Sequence, residues 1–218
     1  MDSPRRHRQR HQPVAAPDRA TPAFVGLTGG IAAGKSEALA AFGRLGAATL
    51  SSDAVAHGLL EDARVRDRLV ERWGNRAVAD GRVDRDRVGA IVFERPEELA
   101  WLESLLHPLV GARIVDWRRM LPPETELSVV EVPLLFEAGL GDAFDATVCV
   151  VAADETRARR AGERGTRLLE GRTGRQLSQE EKAARATYVI RNDGSLSELE
   201  AEVALLVPVL TGIHQGAS

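Results

Sequence analysis

The sequence has few of the features that indicate secretion, membrane insertion or binding to nucleic acid. Its one cysteine, Cys149, cannot form an internal disulfide, and it lies in an apolar run typical of a buried strand. No apolar stretch approaches ~18 residues, so we expect no membrane span. The formal net charge is −3, which gives no electrostatic reason to expect a nucleic-acid partner. Together these features favour a cytoplasmic protein.

Lysine is also scarce, because only Lys35 and Lys182 are lysines among the 29 Lys and Arg residues. Lys35 lies in residues 29–36, whose letters GGIAAGKS match G-x-x-x-x-G-K-[ST] completely. A compact ammonium group fits between a phosphate and a tight loop where a planar guanidinium would fit poorly. The motif, called a P-loop, predicts a nucleoside triphosphate site; the alternative is a glycine-rich turn that matches by chance.

The residues around this loop supply the strand and the helix that a P-loop requires. A short apolar run at 24–28 precedes it, and Ala38, Leu39, Phe42 and Leu45 follow at helical spacing. Glycines let backbone N–H groups face phosphates, and the helix N-terminus adds partial positive charge. We expect Lys35 to reach the β- and γ-phosphates and Ser36 to ligate Mg²⁺. The predicted nucleotide contacts in the loop are Gly29, Gly30, Ile31, Ala32, Ala33, Gly34, Lys35, Ser36 and Glu37.

Five apolar or β-branched runs alternate with helical patterns, which predicts a doubly wound, five-stranded parallel sheet in an α/β fold. The predicted strands are 24–28, 47–51, 127–132, 146–151 and 187–190. In such sheets the functional site lies at the carboxyl ends of the strands.

The spacing of these runs predicts four kinds of region. A disordered leader covers 1–22, although an organelle transit peptide or an over-extended start would also be Arg-rich. The P-loop core covers 23–56, 126–154 and 183–214. Residues 57–125 exceed the length of one crossover helix, so we predict a helical insertion that binds the second substrate. The arginine-rich segment 155–182 is either a solvated helix or a mobile lid over the triphosphate.

Several separated motifs resemble the dephospho-coenzyme A kinase family, over roughly residues 23–205. Leu27-Thr28-Gly29-Gly30-Ile31 with the Gly-Lys-Ser of the loop is similar to the start of that family. The other matching segments are SDAVAH at 52–57, GRVDR at 81–85, IVF at 91–93, LLHPLV at 105–110, EVPLLFE at 131–137, EEKAA at 180–184 and YVIRNDG at 188–194. The resemblance implies ATP- and Mg²⁺-dependent phosphorylation of the ribose 3′-hydroxyl of dephospho-CoA, the last step of coenzyme A synthesis.

The resemblance, together with the position of each residue, implies roles for the remaining candidates. Asp53 would be the general base, with a helix N-cap as the alternative. Glu131 would assist Mg²⁺, or it is a buried structural carboxylate. Lys35 and the lid residues Arg160 and Arg164 would stabilise the transferring phosphoryl group. Arg172 and Asn192 would contact the nucleotide, with Asn192 beside the adenine. The predicted acceptor contacts are Thr28, Asp53, His57, Arg85, His107, Leu134 and Glu137.

For two of these acceptor contacts the sequence leaves a structural alternative open. Because His107 precedes a proline, we expect it at a helix break, where it contacts the acceptor or caps the helix. Arg85 contacts the acceptor phosphates or is an ordinary surface arginine. We expect the protein to be a monomer.

The family usually has two acids in the segment at strand two, and Ser51 replaces the first of them. Thr187 and Arg191 each stand where the family has Asp, and residues 164–176 are about three residues short. With four glycines in the lid, this predicts a looser lid and weaker ATP binding or slower turnover. Two other functions remain open: a kinase for another small acceptor, such as a nucleoside monophosphate or shikimate, or a degenerate ATP-binding regulatory protein. A switch GTPase is disfavoured because no N-K-x-D segment is present.

Overall fold

The computed structural model describes residues 21–163 and 176–214. Seven strands lie in this part of the chain. They are β1 (Ala23–Gly29), β2 (Ala48–Ser51), β3 (Val78–Ala79), β4 (Arg82–Val83), β5 (Leu127–Glu131), β6 (Ala146–Val151) and β7 (Tyr188–Arg191).

Five of the strands form one parallel sheet in the order β2-β5-β1-β6-β7. Each lies within about one residue of a strand predicted from the apolar runs, and the predicted α/β fold is confirmed. The inner strands β1, β5 and β6 are buried along their whole length, because helices cover both faces of the sheet. The first strand of the chain therefore lies at the centre of the sheet, and the glycine-rich loop leaves from its carboxyl end.

Eight α-helices lie in the described residues. They are α1 (Lys35–Arg44), α2 (Ser52–Leu59), α3 (Ala63–Trp73), α4 (Arg85–Glu94), α5 (Pro96–Arg119), α6 (Asp154–Glu163), α7 (Gln179–Arg185) and α8 (Leu196–Thr211).

The main hydrophobic core lies between the sheet and helices α1 and α8. Phe42 of α1 and Leu199, Val203 and Leu210 of α8 are buried there against residues of β1, β5 and β6. On the opposite face, Ile114 and Trp117 of α5 pack beside Phe24 and Val130. Helices α1 and α8 thus cover one face of the sheet, and α5 packs on the other.

Residues between β2 and β5 form helices α2 to α5 and a short hairpin, and they have a hydrophobic cluster of their own. Leu59, Leu69, Trp73, Ile91 and Leu102 are members of that cluster. The hairpin of β3 and β4 turns at Asp80 and Gly81, which both have positive φ. This hairpin is not among the strands predicted from the apolar runs, although an Asp-Gly pair between short apolar residues indicates one.

The prediction that His107 lies at a helix break is wrong. Helix α5 runs without interruption through Pro108, so His107 lies in the middle of a 24-residue helix. The proline removes one backbone hydrogen bond, but the helix packs on both sides of that point. Leu102 and Leu106 are buried against α2–α4, while the partly buried Ile114 and Trp117 pack against the sheet. Packing at both ends therefore outweighs the local preference of the residue before proline.

Candidate active site

The glycine-rich loop has the backbone conformation that its glycines permit. Gly34 has φ 97° and Gly29 has φ 153°, and α1 begins immediately after the loop at Lys35. A Cβ atom at Gly29 would overlap the carbonyl oxygen of Val150, and one at Gly34 would overlap the side-chain amide of Asn192. Ala32 also has a positive φ, of 57°, which is unfavourable for a residue with a Cβ. The loop thus has little freedom to move against β6 and Asn192.

Lys35 projects back over the loop that precedes it. Its Nζ donates to the carbonyl oxygens of Gly30 at 2.9 Å and Gly29 at 3.3 Å. Burial lowers the pKa of Lys35 below its ordinary value, while the Glu131 and Asp53 carboxylates oppose this shift. The structure therefore brings Lys35, Glu131 and Asp53 into one electrostatic group at the carboxyl edge of the sheet.

Glu131 is the last residue of β5, and it is buried beside this group. Burial raises the pKa of Glu131, whereas the Lys35 ammonium and hydrogen bonding from Ser51 and Ser36 favour its charged form. The pairing of β2 with β5 places Ser51 opposite Glu131. Glu131 thus lies beside Ser51 at the carboxyl ends of β5 and β2.

Asp53 lies in the first turn of α2, directly after β2, and it is exposed. The alternative that Asp53 is the N-cap is wrong, because Ser51 has that position and its side chain accepts from the Ala54 N–H. The serine that replaces the family's first acid therefore caps the helix. It leaves the Asp53 carboxylate unengaged by the cap and available to a substrate.

Asn192 and Arg160 support the loop from the other side. Asn192 is buried, and its Nδ2 donates to the Ala33 carbonyl oxygen at 2.8 Å. Arg160 of α6 donates to the Asn192 carbonyl oxygen at 2.9 Å. These contacts place Arg160 and Asn192 at the loop, but the adenine contact of Asn192 stays a prediction.

A third support comes from α7, none of whose residues is among the predicted site residues. The Gln179 side chain pairs with the backbone N–H and C=O of Ala152 after β6, and it lies next to Gly30. Lys182 is fully buried, and its Nζ contacts Glu137 Oε1 at 3.0 Å and the Pro133 carbonyl oxygen at 2.6 Å. Lys182 is the other of the two lysines in the sequence, so the scarcity of lysine is a signal for this residue as well as for Lys35.

The remaining predicted acceptor residues lie in different settings. His57, Arg85 and His107 are exposed on α2, α4 and α5, and Arg85 forms an ion pair with Glu61 at 3.2 Å. Leu134 is 38% exposed in the loop after β5. Thr28 is buried, and its hydroxyl donates to the Pro133 carbonyl oxygen at 3.2 Å. Glu137 faces Lys182, so its predicted acceptor contact competes with that ion pair.

Arg164 and Arg172, like the predicted shortening of the lid, lie outside the described residues. The described residues include the two other departures, Thr187 and Arg191. Thr187 and Thr147 each accept a hydrogen bond from the other's backbone N–H at 3.0 Å, which joins the starts of β6 and β7. Arg191 is exposed at the end of β7. Thr187, which stands where the family has an acid, thus links the starts of β6 and β7.

Cys149 is free and buried in β6, and burial raises the pKa of its thiol to about 11, as expected for a structural cysteine. Within residues 21–163 and 176–214, no three His, Cys, Asp or Glu side chains are grouped so that they could hold a metal ion by themselves. In the same residues, no helix has both the length and the apolar character needed to cross a membrane.

Comparison with known proteins identifies the family. Residues 23–198 match the family model for dephospho-CoA kinase. A dephospho-CoA kinase of Thermus thermophilus is 35% identical over 89% of this chain and 95% of its own length. The corresponding enzyme of Deinococcus radiodurans is 39% identical over 84% of this chain and 89% of its own length.

Solved structures agree with this result. A structure from Thermus thermophilus aligns with a TM-score of 0.73 and 35% identity, covering 88% of this chain and 99% of that one. A dephospho-CoA kinase from Campylobacter jejuni gives 0.63 at 26% identity, covering 89% and 98%. A shikimate kinase from Bacteroides thetaiotaomicron, with a TM-score of 0.50 and 17% identity over 86% and 98%, shares the fold alone. With its P-loop and the adjoining carboxylates, the chain therefore belongs to the dephospho-CoA kinase family and is a kinase, a class of enzyme that uses ATP.

Proposed function

We propose that this protein transfers the γ-phosphoryl group of ATP to the ribose 3′-hydroxyl of dephospho-CoA, which gives coenzyme A. The observation that supports this most is the placement of Lys35, Glu131 and Asp53 at one edge of the sheet, in a chain of this family. The loop amides and Lys35 bind the β- and γ-phosphates, and Arg160 adds positive charge beside them.

We assign the role of general base to Asp53. In the reaction, the 3′-oxygen forms a bond to the γ-phosphorus as the bond to the β-phosphate oxygen breaks, and ADP leaves. The proton of the 3′-hydroxyl passes to the Asp53 carboxylate, which is exposed at the edge of the cleft. Because Ser51 provides the helix cap, the Asp53 carboxylate can accept this proton without disturbing α2.

Ser36 and Glu131 fit a Mg²⁺ site of the kind found with nucleoside triphosphates. Ser36 is among the groups that lower the pKa of Glu131, so these two candidate oxygen ligands lie close together. Mg²⁺ usually keeps several waters and takes only one or two protein ligands beside the phosphates, so a small donor set is sufficient. When bound, the ion would neutralise charge on the β- and γ-phosphates.

The acceptor would bind between α2, α4, α5 and the loop after β5. Arg85 would contact acceptor phosphates, His57 and His107 would contribute polar contacts, and Leu134 would provide an apolar one. We further propose residues 57–125 as the acceptor-binding region and residues 155–182 as the lid. The protein acts in the cytoplasm as a monomer, without nucleic acid or a membrane as partner.

An ADP-release assay with a panel of acceptors tests this proposal. Dephospho-CoA with ATP and Mg²⁺ should give ADP at a rate far above that with shikimate or a nucleoside monophosphate. Omission of Mg²⁺ should abolish the signal. A higher rate with another acceptor would reassign the substrate, and ATP binding without ADP release from any acceptor would favour a regulatory protein.

A further inference from the structure

The second lysine of the chain occupies a buried junction between three segments. Lys182 projects from α7, its side chain is fully buried, and its Nζ contacts both Glu137 and the Pro133 carbonyl oxygen. Burial of an ammonium group costs several kcal/mol unless good partners compensate, which indicates that Lys182 has a specific role at this position.

The Pro133 carbonyl oxygen joins the three segments. It accepts from Lys182 of α7, from the hydroxyl of Thr28 at the end of β1, and from the side chain of Gln176 at 3.5 Å. Glu137 Oε1 accepts from the Leu177 N–H at 2.9 Å as well as from Lys182. Thr28 directly precedes Gly29, the first residue of the glycine-rich loop. The loop after β5 is therefore tied to the phosphate-binding loop and to the residues that precede α7.

We propose that Lys182 is a positioning residue for phosphoryl transfer, which holds residues 133–137 in register with Thr28 and the glycine-rich loop. This inference rests on the proposed function, because it takes Leu134 in the same loop to contact the acceptor. A shift of the loop would move the acceptor relative to the γ-phosphoryl group.

A matched pair of substitutions on α7 tests the role of Lys182. Lys182→Met removes the charge and keeps most of the side-chain length, and Arg185→Met removes a positive charge at an exposed position of the same helix. We expect Lys182→Met to lower kcat/KM for dephospho-CoA by roughly 10- to 100-fold, while the KM for ATP changes much less. Arg185→Met should match the wild type.

A fall in kcat/KM for dephospho-CoA with little change in the KM for ATP distinguishes a positioning role from a purely stabilising one. If folded Lys182→Met, assayed well below its unfolding temperature, has wild-type kcat and KM, then Lys182 only stabilises the fold and the proposal is wrong. Should the single variant fail to fold, Glu137→Gln combined with Lys182→Met removes the unpaired buried carboxylate. The paired variant should fold and still show the loss in kcat/KM; normal kinetics there would also overturn the proposal.

Lysine NMR gives a second readout that does not depend on activity. Protein labelled with ¹³C and ¹⁵N in lysine should show only two side-chain ammonium groups, those of Lys35 and Lys182. The wild-type Lys182 Nζ protons should exchange slowly with solvent, because the ammonium group is fully buried against Glu137 and the Pro133 carbonyl oxygen. Fast exchange would contradict the junction. A wild type inactive on dephospho-CoA would instead refute the proposed function.

Discussion

The phosphate-binding loop and the helical region between β2 and β5 differ in how their candidate residues are held. In the loop, Ala33 and Gly34 contact Asn192 from another segment, and Lys35 donates to the Gly30 carbonyl oxygen of the loop itself. In the helical region, His57, Arg85 and His107 are exposed side chains. The nucleotide side is therefore organised by the fold itself, whereas the acceptor side presents polar groups that a ligand would have to engage. Substitutions on the two sides can test this contrast.

Substitution of Asp53 should have the largest effect on turnover. Asp53→Asn removes the proposed proton acceptor, so kcat should fall by about 10²- to 10⁴-fold while ATP affinity stays nearly constant. Single-turnover kinetics and ATP titration measure the two quantities. Asp67→Asn, at an exposed carboxylate of α3, is the control and should match the wild type. If the variant binds ATP much more weakly but turns over each bound ATP at the normal rate, Asp53 is not the base.

The rigidity of the loop can be tested at Gly34. Gly34→Ala places a Cβ on a residue with φ 97° and against the Asn192 side chain. The free energy of unfolding should therefore fall by about 1–3 kcal/mol, and ATP binding should weaken. Gly43→Ala on α1 is the control, because its Cβ would meet Thr49 only at ordinary contact distance. That change should be neutral or slightly stabilising. Chemical denaturation of both variants measures the difference, and equal stabilities would mean that the loop is not constrained by Asn192.

The acceptor side should respond in the opposite way, with a change in binding and little change in stability. Arg85→Ala should raise the KM for dephospho-CoA roughly tenfold, as expected for loss of one charged contact. Because its ion pair with Glu61 is exposed, the stability should change by less than about 0.5 kcal/mol.

Glu61→Gln breaks the same ion pair and keeps Arg85, so it separates the two explanations. Steady-state kinetics of this variant should match the wild type. If Glu61→Gln raises the KM as much as Arg85→Ala does, Arg85 acts through its ion pair and does not contact the acceptor.

The smallest expected effect concerns the pH dependence of stability at Glu131. Because burial raises the pKa of Glu131 in the folded protein, its contribution to stability is fully present below the unfolded value of 4.5 and declines as pH rises through the folded pKa. Glu131→Gln should therefore be slightly more stable than the wild type at neutral pH, and this advantage should shrink on acidification. Urea denaturation at several pH values measures it. If the stability advantage of Glu131→Gln grows at lower pH, then folding lowers the pKa of Glu131 and the predicted direction is wrong.

The sequence predicted the sheet well because buried parallel strands are short apolar runs, such as those at Val25 and Val148. It located Lys35 and Glu131 because a motif and a strand end fix their positions. It failed at His107, where packing on both sides of Pro108 sustains the helix against a local preference. It also missed the partners of Lys182, since contacts between residues 28, 133 and 182 depend on how the strands are ordered in space.

Transfer of the γ-phosphoryl group to the 3′-hydroxyl is the claim on which the other assignments depend. The most direct measurement is ³¹P NMR and mass spectrometry of the product from dephospho-CoA and ATP labelled with ¹⁸O in the γ-phosphoryl group. We predict a phosphomonoester on the ribose 3′-oxygen that retains the labelled phosphoryl oxygens. Labelled inorganic phosphate with unchanged dephospho-CoA, or phosphate on another hydroxyl, would contradict the proposed function.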